Sequence, residues 1–252
     1  MEYFDNKNYE FNTESKDGIY IIHGFTNTTY ETRDLAKYLG GQGFYTKAIN
    51  LPGHGTTPED CNRTKFTDWI EFTEHGIAEM SSRCDNIYVI GISMGSVLAL
   101  HLSSIFPINA AVFASTVLEF KDYLYTRILT PIFHRIVPFR EKKLSYPKAL
   151  RDKFDYLGYK VWPISAVNEM RKLTNKVKKE LPEIKCPALV IHSAKDMLSP
   201  QSNISLVYDN ISSEMKEKFI VNQANHNLFV NSPDQELIFQ KINFFFNQFQ
   251  RN

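Results

Sequence analysis

The chain has 252 residues, 43% hydrophobic and 23% charged, the balance of an ordinary globular protein long enough to bury a core of its own. Its 29 Lys and Arg nearly cancel its 28 Asp and Glu, so no global field draws it to nucleic acid or an anionic membrane. Its three cysteines, Cys61, Cys84 and Cys186, form no C-x-x-C pair, which excludes a disulfide framework and a cysteine-rich zinc site and suits a reducing compartment.

The first residues, Met1 to Lys7, lack the apolar stretch of a signal peptide. No apolar run reaches the roughly 20 residues of a membrane span, and a cytoplasmic protein is expected. Ile19–His23 is an apolar run too short for a helix, and it predicts a buried strand ending at Gly24. Tyr30–Leu39 carries Leu35, Tyr38 and Leu39 at helical spacing, with Gly40-Gly41 as the stop. Tyr45–Asn50 is the next strand, closed by the turn Leu51-Pro52-Gly53-His54-Gly55. Thr67–Ser82 predicts a helix with Thr67 as its N-cap. Ile87–Gly91 is the clearest central strand, and the helix Met94–Ile105 starts three residues after it. Ala110–Ala114, Ala188–His192 and Phe219–Val221 complete the strands, and Gln235–Phe249 is an amphipathic closing helix.

Short β-rich runs alternating with helices predict an α/β protein with a mostly parallel sheet flanked by helices. Thr116–Lys185 breaks the rhythm: it is aromatic and basic, with no convincing strand. A structureless loop of that length does not suit a compact domain, so residues 116–185 are expected to form a small helical cap inserted between core segments 1–115 and 186–252.

Gly91-Ile92-Ser93-Met94-Gly95 matches G-x-S-x-G between a strand and a helix. A serine there sits on a sharp turn, and the glycines let strand and helix backbones approach without Cβ clashes. The helix N-terminus places positive partial charge where an oxyanion develops. A serine hydroxyl needs a base and the base needs an orienter, in the chain order serine, acid, histidine. Asp196 lies just past the Ala188–His192 strand, and His226, the sole histidine beyond it, lies in the polar loop after the last strand. His75, His101, His134 and His192 lack that combination of loop and order. His23-Gly24-Phe25 ends the first buried strand, so backbone N–H groups of Phe25 and Met94 are expected oxyanion donors, with His23 a structural residue.

On these residues the chain resembles the α/β-hydrolase fold family of compact bacterial monoacylglycerol lipases and related carboxylesterases. The likeness also rests on Gly53-His54-Gly55-Thr56, Thr67-Asp68-Trp69 and Cys186-Pro187-Ala188-Leu189. The resemblance implies a Ser93, Asp196 and His226 triad, Phe25 and Met94 as oxyanion donors, a small-molecule ester substrate, no cofactor, and an insertion that caps the acyl pocket. Two positions depart from the family: Ser96 and Asn225 stand where glycines are usual. A hydroxyl at position 96 meets a tight helix–strand contact, and asparagine is expected to adopt the positive φ that a glycine at 225 would allow.

Within Tyr123–Phe139, Leu124, Ile128, Ile132 and Ile136 recur four apart with Tyr125, Leu129, Phe133 and Val137 alongside, a wide apolar face interrupted at Pro131. Its polar neighbours are mainly basic: Arg127, His134, Arg135, Arg140, Lys142 and Lys143. Packing on the main domain, lining an acyl channel and transient contact with a lipid surface all suit such a segment. Trp69 and Trp162 are expected to pack rather than bind ligand. Ester hydrolysis through an acyl-enzyme is the expected activity. Thioester, amide and carbon–carbon hydrolysis use the same triad, and a ligand sensor of this fold without turnover is the alternative outside catalysis.

Overall fold

The computed structural model describes residues 6–142 and 158–250. The strands are β1 (Tyr9–Phe11), β2 (Asp17–Ile22), β3 (Tyr45–Ala48), β4 (Asn86–Ile92), β5 (Ala110–Ala114), β6 (Phe139–Glu141), β7 (Val161–Pro163), β8 (Ala188–Ser193) and β9 (Lys216–Val221). Seven of them form one sheet in the order β1-β3-β2-β4-β5-β8-β9, parallel except for the edge strand β1.

Burial on both faces explains the near-continuous apolar character of the central strands. In β4, Ile87 and Val89 join one core cluster, while Tyr88, Ile90 and Ile92 join the other, the two-residue alternation of a pleated strand. The first cluster takes in α3 (Phe66–Ser81) through Trp69, Ile77 and Met80, α4 (Met94–Ile105) through Val97 and Leu98, and α6 (Ile164–Glu180) through Met170, Leu173 and Val177. The second is closed by Leu35 and Leu39 of α1 (Arg33–Gly41) and by Ile238, Ile242 and Phe246 of α8 (Gln235–Asn247). Two further helices are α2 (Pro58–Arg63) and α7 (Ser202–Asn210).

The order of strands positions the site. β2 pairs with β3 on one side and β4 on the other, so the winding reverses there and a crevice opens beyond the strands' C-terminal ends. The pairings Ile22 with Gly91, Ile92 with Ala114, Ile191 with Phe219 and Ser193 with Val221 bring those ends to one edge.

Several local expectations change. The N-cap of α3 is Lys65, not Thr67, because the Asp68 carboxylate accepts the Lys65 N–H at 2.8 Å and starts the helix earlier. α1 runs through Gly40 and Gly41 and ends at Gln42, ahead of Gly43 at φ 104°. The insertion contains strands: β6 and β7 pair antiparallel. Tyr123–Phe139 is not one helix. Leu124–Leu129 winds as a π-helix, the Thr130 N–H reaching back to the Tyr125 carbonyl ahead of Pro131, and α5 (Thr130–Phe133) is a single turn. Leu124, Ile128, Ile132 and Ile136 face outward and are exposed. Tyr125, Leu129, Thr130, Phe133 and Val137 line a cleft of about 150 Å³ against Ile164. Lys143, named among the basic neighbours, and positions 144–157 of the expected cap lie outside the described residues. No helix among the described residues is long and apolar enough to cross a membrane.

Candidate active site

Ser93 occupies the turn between β4 and α4 with φ 58° and ψ −117°, a region that L-residues rarely adopt. The chain can be that tight because its neighbours lack side chains. A Cβ on Gly91 would lie 2.1 Å from the Gly95 carbonyl oxygen, and one on Gly95 would lie 2.1 Å from the Ile22 carbonyl oxygen. The Ser93 N–H donates to the Ala114 carbonyl at 2.9 Å, which fixes the turn to β5. Ser96 fits where a second glycine was expected because its hydroxyl pairs with that of Thr116 at 2.6 Å in a buried contact.

The structure brings the three separated residues together. His226 Nε2 is 2.9 Å from Ser93 Oγ, and His226 Nδ1 is 2.7 Å from Asp196 Oδ2. The other carboxylate oxygen of Asp196 accepts the N–H groups of Leu198 and Ser199, both at 2.8 Å. Burial raises the Asp196 carboxyl, but His226 and those two donors outweigh it and hold it below its ordinary value. For His226 burial disfavours the charge, but Asp196, with Glu31 behind it, prevails and raises its pKa.

Hydrogen bonds from several elements hold the His226 loop. The Asp234 carboxylate accepts the N–H groups of Gln223 and Ala224 at 2.9 and 2.8 Å. Ser115 Oγ donates to the His226 carbonyl at 3.0 Å. The Asn225 side-chain oxygen accepts the N–H of Met197 at 3.1 Å and of His226 at 2.8 Å. Asn225 is not at positive φ, so the expected reason for tolerating it is replaced by a hydrogen-bonding one.

Phe25 follows β2, and Met94 is the first residue of α4, whose leading N–H groups have no acceptor inside the helix. Phe25 stands in a turn closed by the Asn27 N–H on the Gly24 carbonyl at 3.2 Å, with Thr26 at φ 64°. His23 is buried and held at both ring nitrogens, Nδ1 donating to the Gly24 carbonyl at 2.9 Å and Nε2 accepting the Leu51 N–H at 3.0 Å. Burial brings it down to about 4, which keeps it neutral and structural. Trp69 is fully buried with its indole N–H on the Pro52 carbonyl, and Trp162 stacks on Phe25 at 6.2 Å between ring centroids.

Of the other histidines, His101 lies between Glu74 and Glu180 on the far part of α4, and His134 meets Ser165. His192 Nε2 is 3.7 Å from Asp196 Oδ2, too long for a hydrogen bond. Sequence reasoning missed Glu31 and counted Lys142 only as one of the insertion's basic residues. Glu31 is completely buried beside Gly24, and Lys142 donates to Thr26 Oγ1 at 2.6 Å while lying 4.4 Å from the Trp162 ring centroid. Neither carries a motif; each is found by what the folded chain places against the Phe25 turn.

A mostly parallel sheet of this order, flanked by helices, with a serine on the turn after its central strand, defines an α/β-hydrolase. The chain belongs to the Hydrolase_4 family, described as serine aminopeptidase, S33, whose family model matches residues 13–234. It is 30% identical over 245 residues to the thermostable monoacylglycerol lipase of Bacillus sp. (strain H-257), covering 90% of both chains. It is 21% identical to the carboxylesterase of Bacillus subtilis (strain 168), with 89% of both covered. Among solved structures it is similar to one of the metagenome-derived lipolytic enzymes LipS and LipT, with TM-score 0.85, 25% identity, and 96% of this chain and 98% of that chain covered. The monoacylglycerol lipase of Paleococcus ferrophilus superposes with TM-score 0.81 at 18% identity, covering 97% of this chain and 99% of that one.

Proposed function

We propose that this chain hydrolyses carboxylic esters, monoacylglycerols or short-to-medium acyl esters, through Ser93, His226 and Asp196. The observation that carries the reading is the continuous contact from Ser93 Oγ to His226 at 2.9 Å and on to Asp196 at 2.7 Å, with the serine on a strained turn. The similarity to a monoacylglycerol lipase over nine-tenths of both chains supports the ester as substrate.

In the first step His226 Nε2 takes the Ser93 proton as Oγ adds to the ester carbonyl, and the charge on the carbonyl oxygen is met by the N–H groups of Phe25 and Met94. The alcohol leaves with the proton from His226. Water, deprotonated by the same imidazole, then adds to the acyl-enzyme and releases the acid and free Ser93. Asp196 stays ionised and holds the imidazole with Nδ1–H toward itself. Residues 116–185 serve as the cap, anchored by α6 on the body, and the cleft of Tyr125, Leu129, Phe133 and Ile164 suits an acyl chain.

The test is a chain-length series of nitrophenyl esters and monoacylglycerols, with matched thioesters and amides as controls, on purified protein. Steady multiple turnover of esters with a preferred acyl length supports the reading. A single burst without recovery makes the chain a sensor, and preference for the amide series makes it a peptidase-like enzyme.

A further inference from the structure

Glu31 ends the turn Thr29–Glu31 and has no exposed surface. Burying a carboxylate is costly unless it is well partnered, and Lys142 acts on it through charge without a direct hydrogen bond. Its partners are neutral donors on the turn that carries Phe25. Oε2 accepts the Gly24 N–H at 2.7 Å and Oε1 accepts the Asn27 side-chain amide at 2.6 Å. Gly24 and Asn27 are the first and last residues of that turn, so the carboxylate grips both of its ends.

The turn needs holding. Thr26 is a β-branched residue at φ 64°, a conformation such residues rarely adopt and hold only under outside support. The nucleophile is close by: a Cβ on Gly24 would lie 3.1 Å from Glu31 Oε2 and 3.1 Å from Ser93 Cβ. Only the thickness of a glycine separates the carboxylate from the serine.

We propose that Glu31 is a positioning residue: its carboxylate, accepting at both oxygens, fixes Gly24 and Asn27 so that the Phe25 N–H faces the oxygen that becomes negative at Ser93, and its charge supports the imidazolium of His226. This rests on the reading of Ser93 and His226 as the reacting pair. Burial raises the Glu31 carboxyl above its ordinary value, and the Gly24 N–H, His226, Asn27 and Lys142 offset only part of that rise; the geometry, with an N–H donor on each oxygen, is that of a carboxylate accepting at both. The groups facing the pair come from four elements. His226 meets Asp196 from the loop after β8 and His192 from the end of β8. Glu31 reaches it from the turn before α1, and Lys142 faces Glu31 from the segment after β6.

The test is the rate at which a fluorophosphonate labels Ser93, followed against pH, alongside ester turnover. In that reaction Oγ bonds to phosphorus, fluoride leaves, and the serine proton passes to His226, so the readout does not depend on which ester is natural. Glu31→Gln keeps the shape but loses the charge and one of the two acceptors. Its labelling rate and kcat should fall about tenfold with KM within about twofold, and the acid limb should move to lower pH by about half a unit. Glu31→Asp keeps the charge and shortens the reach, so kcat should fall while the acid limb stays. A merely structural role would lower the melting temperature without moving that limb. If Glu31→Gln labels at the wild-type rate with an unmoved limb, the proposal is overturned and the reacting pair stands; if the wild-type protein is not labelled at Ser93, the reading of the pair falls first. Should Glu31→Gln not fold, Asn27→Ala decides: a several-fold lower labelling rate supports the clamp, and a wild-type rate overturns it.

Discussion

The Asn225 side chain accepts the backbone N–H of Met197 at 3.1 Å and so ties the loop that carries Asp196 to the loop that carries His226. The same oxygen accepts the His226 N–H, so one amide holds the two loops, and with them Asp196 and His226, at a fixed separation. Replacing Asn225 by Ala should lower kcat several-fold with little change in KM, because it loosens the approach of two side chains while leaving both present. The loss of two hydrogen bonds should cost about 1–3 kcal/mol of stability. Steady-state kinetics and urea unfolding of the same preparation measure both.

The pH dependence of kcat/KM has a definite sign. In the proposed mechanism His226 must be neutral to take the Ser93 proton, and its pKa is held above the ordinary histidine value of 6.5. Activity should therefore rise with pH through a midpoint above 6.5. Burial alone would lower that midpoint, and Asp196 is the largest of the opposing influences. Asp196→Asn should move it downward and cut kcat by about 10⁴, since the imidazole then loses its orientation as well as its counter-charge. A midpoint that rises in the Asn variant contradicts this.

Much of this was legible in the sequence, for physical reasons. Ile87–Gly91 is apolar on both faces because it is central, and Gly91 and Gly95 must be small where the strand and helix backbones touch. The strands' shared edge then made Asp196 and His226 readable from their place after β8 and β9. What escaped has no periodicity to betray it. β1 is a three-residue edge strand with an exposed middle residue, and β6 and β7 are equally short. α2 did carry its signal, Thr57 capping Asp60 with Pro58 at the first position. Glu31 reads as a surface charge on a helix start until the fold shows Gly24 and Ser93 against it.

Gly95→Ala should be among the most damaging single-methyl additions in the chain. Its Cβ would meet the carbonyl oxygens of Ile22 and His23 at 2.1 and 2.5 Å, and backbone on two sides cannot rotate away. A loss of about 3 kcal/mol or more is expected. Gly41→Ala, whose Cβ meets nothing within 4 Å, is the control. Thermal unfolding of both variants gives the comparison.

His101→Leu separates stability from catalysis. The ring is buried between Glu74 at 3.0 Å and Glu180 at 2.8 Å, joining α3, α4 and α6. Without it two carboxylates lose a shared partner, at about 2 kcal/mol. kcat per folded molecule should stay at the wild-type value, because the ring contacts none of the groups around Ser93. Urea titration and active-site counting with a fluorophosphonate check the two halves.

The backbone angles of Ser93 set protection against heat in opposition to reactivity. At φ 58° and ψ −117° a side chain is held where glycine would rest without effort, so Ser93→Gly should melt higher than the parent by about 1 kcal/mol or more of stability. Selection for thermal survival alone would drift toward discarding the proposed nucleophile, and any heat-based screen of variants of this protein has to be run together with an assay for turnover.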